Sequence, residues 1–164
     1  MPDGLCITTA AYREYVRTTG LDTRIGLALD RLPLAEMRWE EIWDMSQSIR
    51  NLFLTTSIPD RLKAQLTPSL TDHFSDTAVV VRSSSPHEDR TGTSFAGLHD
   101  SDVNIRGIHA ILDSIRRVWA SLWSDGALLY RRELGLDLRN SAMAVIVQEL
   151  VLKDFLSKRK TAIL

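Results

Sequence analysis

Val79-Val80-Val81-Arg82-Ser83-Ser84-Ser85 is the stretch on which the fold turns. With Thr77 and Ala78 ahead of it, the run to Val81 is continuous, largely β-branched and bounded by polar residues, which predicts a buried strand over 77–81. From Arg82 to Gly92 the composition shifts to Ser, Pro, Asp and Gly, which predicts an irregular loop. An arginine leaving a buried strand is held firmly, and its planar fork can grip a phosphate through two parallel hydrogen bonds. The serines that follow add hydroxyl donors, Glu88-Asp89-Arg90 adds two carboxylates and a cation, and Thr91-Gly92-Thr93-Ser94-Phe95-Ala96-Gly97 lets backbone approach a ligand closely. A solvated serine-rich loop has the same make-up. The stretch matches neither the three-glycine nucleotide fingerprint nor a Walker-type loop, so composition permits phosphate binding without establishing it.

Working outward, the N-terminal third reads as helical. Thr8-Thr9 can cap a helix over 10–19 with Tyr12, Tyr15 and Val16 on one face and Gly20 as its stop. A longer amphipathic helix is expected over 34–54, its stripe of Trp39, Ile42, Trp43, Ile49, Leu52 and Phe53 read as core rather than as a cofactor box. Pro59 opens a third helix through Leu62 and Leu66, expected to stop before Pro68. Downstream, 94–105 reads as an extended segment. Ile108, Ile111, Leu112, Ile115, Val118, Trp119, Leu122 and Trp123 mark the clearest helix, and Ser124 or Asp125 caps another that ends at Leu134-Gly135. A second buried strand is expected over 142–148. With no internal repeat or low-complexity linker, these elements amount to one α+β domain: amphipathic helices on a small mixed or antiparallel sheet.

Length and composition set bounds on function. The 164 residues suffice for one domain with a real core, and an apolar fraction of 44% with 25% charged residues belongs to an ordinary globular chain. A formal charge of -1, with only Lys158-Arg159-Lys160 as a basic cluster, argues against bulk attraction to nucleic acid or to a membrane surface. The single cysteine, Cys6, excludes an internal disulfide, and Leu5-Cys6-Ile7 suggests a small buried hydrophobe. No apolar run has the length of a membrane span and no signal pattern opens the chain, so a cytoplasmic setting is expected. His73, His87 and His109 lack metal-ligand spacing and receive no metal role.

Taken together, Val79 to Ser85, Glu88-Asp89, Ser94-Phe95-Ala96-Gly97-Leu98-His99-Asp100 and Val103-Asn104-Ile105-Arg106-Gly107 resemble a known signature. It is that of the N-terminal ATP-binding domain shared by phosphoenolpyruvate synthases, pyruvate, phosphate dikinases and rifampicin phosphotransferases. The likeness continues in Val118-Trp119-Ala120-Ser121-Leu122-Trp123, in Tyr130-Arg131 and in Ala142 to Val151. Upstream, Pro2-Asp3-Gly4-Leu5-Cys6-Ile7-Thr8-Thr9 is similar to the family's Pro-x-Gly-Phe-x-Ile-Thr-Thr. Several linked motifs in one collinear order, over residues 2–151, are more specific than any one of them.

The resemblance implies a partial ATP-grasp lobe. In it Arg82 binds ATP phosphates, and the loop Ser94, Phe95, Ala96 and Gly97 closes over them. Gln148, Glu149, Leu150 and Val151 form the strand end beside the adenine, with main-chain atoms of Glu149 and Leu150 reading its edge and Val147 or Val151 walling the purine. Without the family, Gln148-Glu149 reads as a solvent-facing strand end. His99 either sits near the phosphates or plays a structural polar role, and Glu88 and Asp89 either join a cation or an arginine or, the favoured reading, take part in a loop-stabilising salt bridge.

Two departures bear on activity. The family's upstream Gly-rich segment, with a lysine that contacts ATP phosphates, has no counterpart here. After Val151 the chain diverges into a basic tail, 152–164, so the domain is expected over 1–151. The second lobe with its Mg2+ ligands, and the phosphohistidine domain, are then missing partners, as after a natural truncation, a frameshift or a deliberate cut. Phosphoryl transfer depends on positioning and charge neutralisation, so the isolated chain is expected to consume no ATP. Two readings stand. One is the N-terminal fragment of an ATP-dependent dikinase that phosphorylates a histidine elsewhere in the enzyme. The other is a non-catalytic remnant or interaction domain, self-associating through exposed apolar surface.

Overall fold

The computed structural model describes residues 4–84 and 101–151; the expected loop closure at Ser94, Phe95, Ala96 and Gly97, the residues Glu88, Asp89 and His99, and the basic tail 152–164 lie outside them. The elements run β1 (Gly4–Ile7), α1 (Thr9–Thr18), α2 (Leu21–Leu29), a single 3-10 turn (Leu34–Glu36), α3 (Trp39–Thr55), α4 (Asp60–Phe74), β2 (Val79–Ser84), β3 (Ser101–Ile105), α5 (Ile108–Ser121), α6 (Asp125–Glu133) and β4 (Ala144–Glu149). The four described strands form one antiparallel sheet in the order β1-β4-β2-β3. The α+β expectation holds, with the sheet antiparallel.

One face of the sheet is covered. Val79 and Val81 on β2, Val145 and Val147 on β4 and Ile7 on β1 are all buried, and α5 and α1 pack against the sheet. Behind α5 lies α3, with α2, α4 and α6 around them. The core at this second layer is aromatic. Trp119 stacks on Tyr15 at 5.1 Å between ring centroids and meets Tyr12 edge-on at 5.9 Å, while Phe53 closes the cluster at about 6 Å from both tyrosines. Both tyrosine hydroxyls find partners: the Trp123 indole N–H donates to Tyr12 Oη at 3.0 Å, and the Tyr15 hydroxyl donates to the Thr56 carbonyl at 2.7 Å, whereas the buried Trp119 indole nitrogen has none among the described residues.

Burial pushes the Tyr15 hydroxyl pKa from 10.0 up to about 12, with the nearby Arg116 charge offsetting part of the rise. The folded chain therefore holds this proton over a pH range in which the unfolded chain releases it. Tyr15's contribution is complete below pH ~10 and is lost as pH rises through ~12. In urea denaturation, the stability difference between the parent and Tyr15→Phe is expected to be constant up to pH ~10 and to shrink above it. A difference unchanged through pH 11.5 would contradict this assignment.

Several expectations are corrected. The helix expected from Leu34 begins at Trp39, because the 3-10 turn gives way to extended backbone at Met37 and Arg38, and Glu41's carboxylate then accepts the Arg38 N–H at 2.7 Å, fixing the start. Trp39 and Trp43 are not core: they are 56% and 44% exposed, since the buried face of α3 runs through Ile42, Met45, Ser46, Ile49 and Phe53 instead. Both β1 and α2 went unread; β1 is only four residues long and α2 only nine, too short for a firm periodic signal. Thr8 does hold the cap position of α1, but its side chain makes no capping bond.

Pro68 does not end α4, which continues to Phe74. The helix keeps Leu62, Leu70 and Phe74 buried on one side, while Pro68 and Ala64, whose carbonyl loses its usual helical donor, lie on the exposed side where water can reach. Replacing Pro68 with alanine restores that donor and removes the ring clash. An increase in unfolding free energy of about 1–3 kcal/mol is expected in chemical denaturation, and a decrease would show that Pro68 fits its site without strain.

Candidate functional site

Among the described residues, no helix covers the second face of the sheet, which is open in that sense. Side chains alternate along a strand, so the residues between the buried valines point the other way. On β2 these are Val80, Arg82 and Ser84, on β4 Ala144, Ile146 and Gln148, and on β1 Gly4 and Cys6. Cross-strand pairing aligns them in rows. Cys6 lies opposite Ile146, Ile146 opposite Arg82, and Arg82 opposite Ser101 of β3; Gly4 lies opposite Gln148 and Gln148 opposite Val80.

Arg82 is therefore not at the start of a loop. It sits within β2, exposed, with the strand continuing to Ser84. The strand's longer reach has a simple origin: Ser83 and Ser84 complete the ladder with Val145 and Ala144, a tertiary pairing that local composition does not announce. Among the described residues Arg82 has no hydrogen-bonding or ionic partner, and its side chain lies on the second face of the sheet. Gln148 is a diagonal neighbour one row along, about 7–8 Å away between backbones. Both can touch one extended ligand. Half-buried Val80 and Ile146 supply apolar surface between and beside them.

The remaining expected site residues do not all join this face. Glu149 is exposed but alternates to the opposite side from Gln148. Leu150 has its N–H engaged, donating to the Ala78 carbonyl at 2.8 Å. Pairing at Leu150 and Ala78 puts the next ladder bonds at Gln148, so the main-chain groups of Glu149 point toward the β1 side. Val151 is 58% exposed at the strand end. Val147, expected to wall a purine, is fully buried on the helical face opposite Val81, while Val80 and Ile146 are the half-buried apolar residues on the second face. Period-two alternation through 79–82 and 145–148 was the signal that could have found them.

Cys6 is also corrected. It is exposed, because Leu5 and Ile7 take the inward positions of β1 and Cys6 falls between them on the open face. Among the described residues, no three His, Cys, Asp or Glu side chains come together as metal ligands, and no helix is long and apolar enough to cross a membrane.

An antiparallel sheet face carrying an arginine with no partner among the described residues, a nearby amide side chain and a small apolar floor suits a flat ring with an attached anionic group. Comparison with known proteins shows the family. The family model described as the pyruvate phosphate dikinase AMP/ATP-binding domain matches residues 1–160. The chain is 40% identical over 152 residues to a rifampicin phosphotransferase of Streptomyces sviceus, covering 92% of this chain and 17% of that protein. It is 33% identical over 156 residues to a probable phosphoenolpyruvate synthase of Methanothermobacter thermautotrophicus, covering 92% of this chain and 22% of that one. The chain thus spans only a minor part of these relatives, yet the match runs through every described strand and helix, and on that ground it belongs to the pyruvate phosphate dikinase AMP/ATP-binding domain family.

Proposed function

We propose that the open sheet face is one wall of an ATP site, the ATP-grasp lobe of a dikinase-type phosphotransferase. The observation that carries this reading is Arg82, a strand-mounted cation on the open face with no partner among the described residues, within a chain of an AMP/ATP-binding family. Its guanidinium would grip phosphate oxygens in a two-pronged contact stronger than a neutral hydrogen bond. The Gln148 side chain would donate to and accept from the ligand, and Val80 and Ile146 would meet the purine or ribose. The Ser94 to Gly97 loop is proposed to close over the phosphates, with the strand end Glu149 to Val151 beside the adenine edge. Because the Leu150 N–H is bonded to Ala78, an edge contact there would fall to other main-chain atoms.

When bound, ATP supplies the phosphoryl group. The residues described here would bind and orient it; a phosphate-contacting lysine is proposed to come from an upstream Gly-rich segment, Mg2+ ligands from a second lobe, and the acceptor to be a histidine on a phosphohistidine domain. The final acceptor is proposed to be a pyruvate-like acid or an antibiotic hydroxyl, and the setting cytoplasmic. The alternative, a non-catalytic interaction domain, draws on the same face: Val80, Ile146 and Cys6 would self-associate if no nucleotide covered them. Calorimetric titration of the 164-residue chain with ATP and Mg2+ separates the two. Saturable binding at 1:1 supports the nucleotide site. No heat, with concentration-dependent dimerisation, would favour the interaction domain.

A further inference from the structure

The edge strand β3 is out of step with β2. Ile105 lies opposite Val79, so a regular antiparallel ladder would set Val103 opposite Val81 and Asp102 opposite Arg82. Instead Val81 faces Asp102 and Arg82 faces Ser101: β3 carries one extra residue, a bulge, and Asn104 within it takes a left-handed φ of 61°. Asparagine tolerates that conformation better than most residues.

The bulge has a cost and a holder. It leaves Val103 58% exposed, whereas the regular register would turn Val103 toward α5 beside buried Val81. Burial of apolar surface therefore favours the regular register. Opposing it, Asp102 is held on the helical face by α5. Ser114, fully buried, donates its hydroxyl to Asp102 Oδ2 at 2.6 Å, and Arg117 donates to the same oxygen through Nε at 2.9 Å and Nη2 at 2.7 Å.

In the regular register the Asp102 carboxylate would stand directly across from Arg82 on the open face, within reach of a cross-strand ion pair. A guanidinium so paired is lost to a phosphate. We propose that the Asp102–Ser114–Arg117 contact is a positioning clamp, which holds β3 in the bulged register and keeps an internal carboxylate away from the phosphate-binding arginine. Asp102 is thus a positioning residue acting through Arg82. The functional half of this inference rests on the proposed ATP site, but the structural half does not.

The test pairs two variants and two readouts. S114A/R117M breaks the clamp and keeps the carboxylate; D102N/S114A/R117M breaks the clamp and removes the charge. Cross-strand NOEs from Arg82 are expected to move from Ser101 to Asp102 in the first variant, with ATP affinity falling about tenfold or more. The second variant is expected to recover to within about threefold of the parent, because a slipped strand then presents a neutral amide to Arg82. Unchanged NOEs in folded S114A/R117M, or no recovery on adding D102N, would overturn the clamp. Should the double variant fail to fold, R117M with and without D102N carries the same comparison. If the parent binds no ATP, the proposed site fails alone, and the NOE shift still decides whether the clamp sets the register.

Discussion

Arg82→Ala is expected to weaken binding of MgATP by about 10- to 100-fold while leaving the fold intact, since hydrogen bonds to a charged group contribute about 1.5–3 kcal/mol and Arg82 holds nothing else among the described residues. The residue is exposed, so denaturation midpoints should move by no more than ~0.5 kcal/mol equivalent. Arg82→Lys keeps the charge without the planar fork, and an intermediate loss is expected. This ordering separates a two-pronged phosphate contact from simple attraction. Lysine equal to arginine would point to bulk electrostatics, and alanine equal to arginine would remove Arg82 from the site.

The second large effect is on stability. Trp119 is fully buried where α5 meets α1 and α3, with Tyr15 stacked on it and Tyr12 against its edge. Trp119→Ala removes the largest side chain of that cluster and leaves a cavity that two aromatic rings and a helix layer cannot collapse into. A loss of about 3–5 kcal/mol is expected in urea denaturation, a large share of the ~5–15 kcal/mol of an ordinary domain. The melting temperature should fall by roughly 10 °C, and Trp119→Phe, which keeps the stacking partner, should lose markedly less. A loss below ~1.5 kcal/mol would mean that the helical layer repacks freely and does not support the sheet rigidly.

How far the sequence foretold these features depended on how local their causes are. The α5 stripe from Ile108 through Trp119 is a local, repeated pattern, and it folds as read. So does the helix after Ser124, whose hydroxyl accepts the Ala127 N–H at 3.2 Å, and which ends near Gly135 at φ 61°. The valine run was legible as a strand. Its extension through Arg82 to Ser84 was not, because the serines gain strand structure only from pairing with β4. Trp39 and Trp43 share helical spacing with the true core residues, and spacing alone does not tell a buried stripe from its flank. Pro68 was read by its rule, and packing along α4 overrode it. At the site, Arg82 and Gln148 were identified through resemblance and meet on one face. Strand parity, which places Val147 on the helical face and Val80 and Ile146 on the face of Arg82, is readable from the sequence once both strands are recognised. The β3 bulge could not be foreseen, since it is a shift of register against β2 that local composition does not announce.

The claim at the centre of this account is that the nucleotide lies on the open sheet face and not among the helices. Backbone amide shifts of the isotopically labelled chain, followed during titration with MgATP, test it most directly. Saturating shifts confined to Val80, Arg82, Ser84, Ile146 and Gln148 and their β3 neighbour Ser101, with α3 and the buried side of α5 unmoved, are the result expected. Shifts centred on the helical layer, or none at millimolar nucleotide, would contradict it.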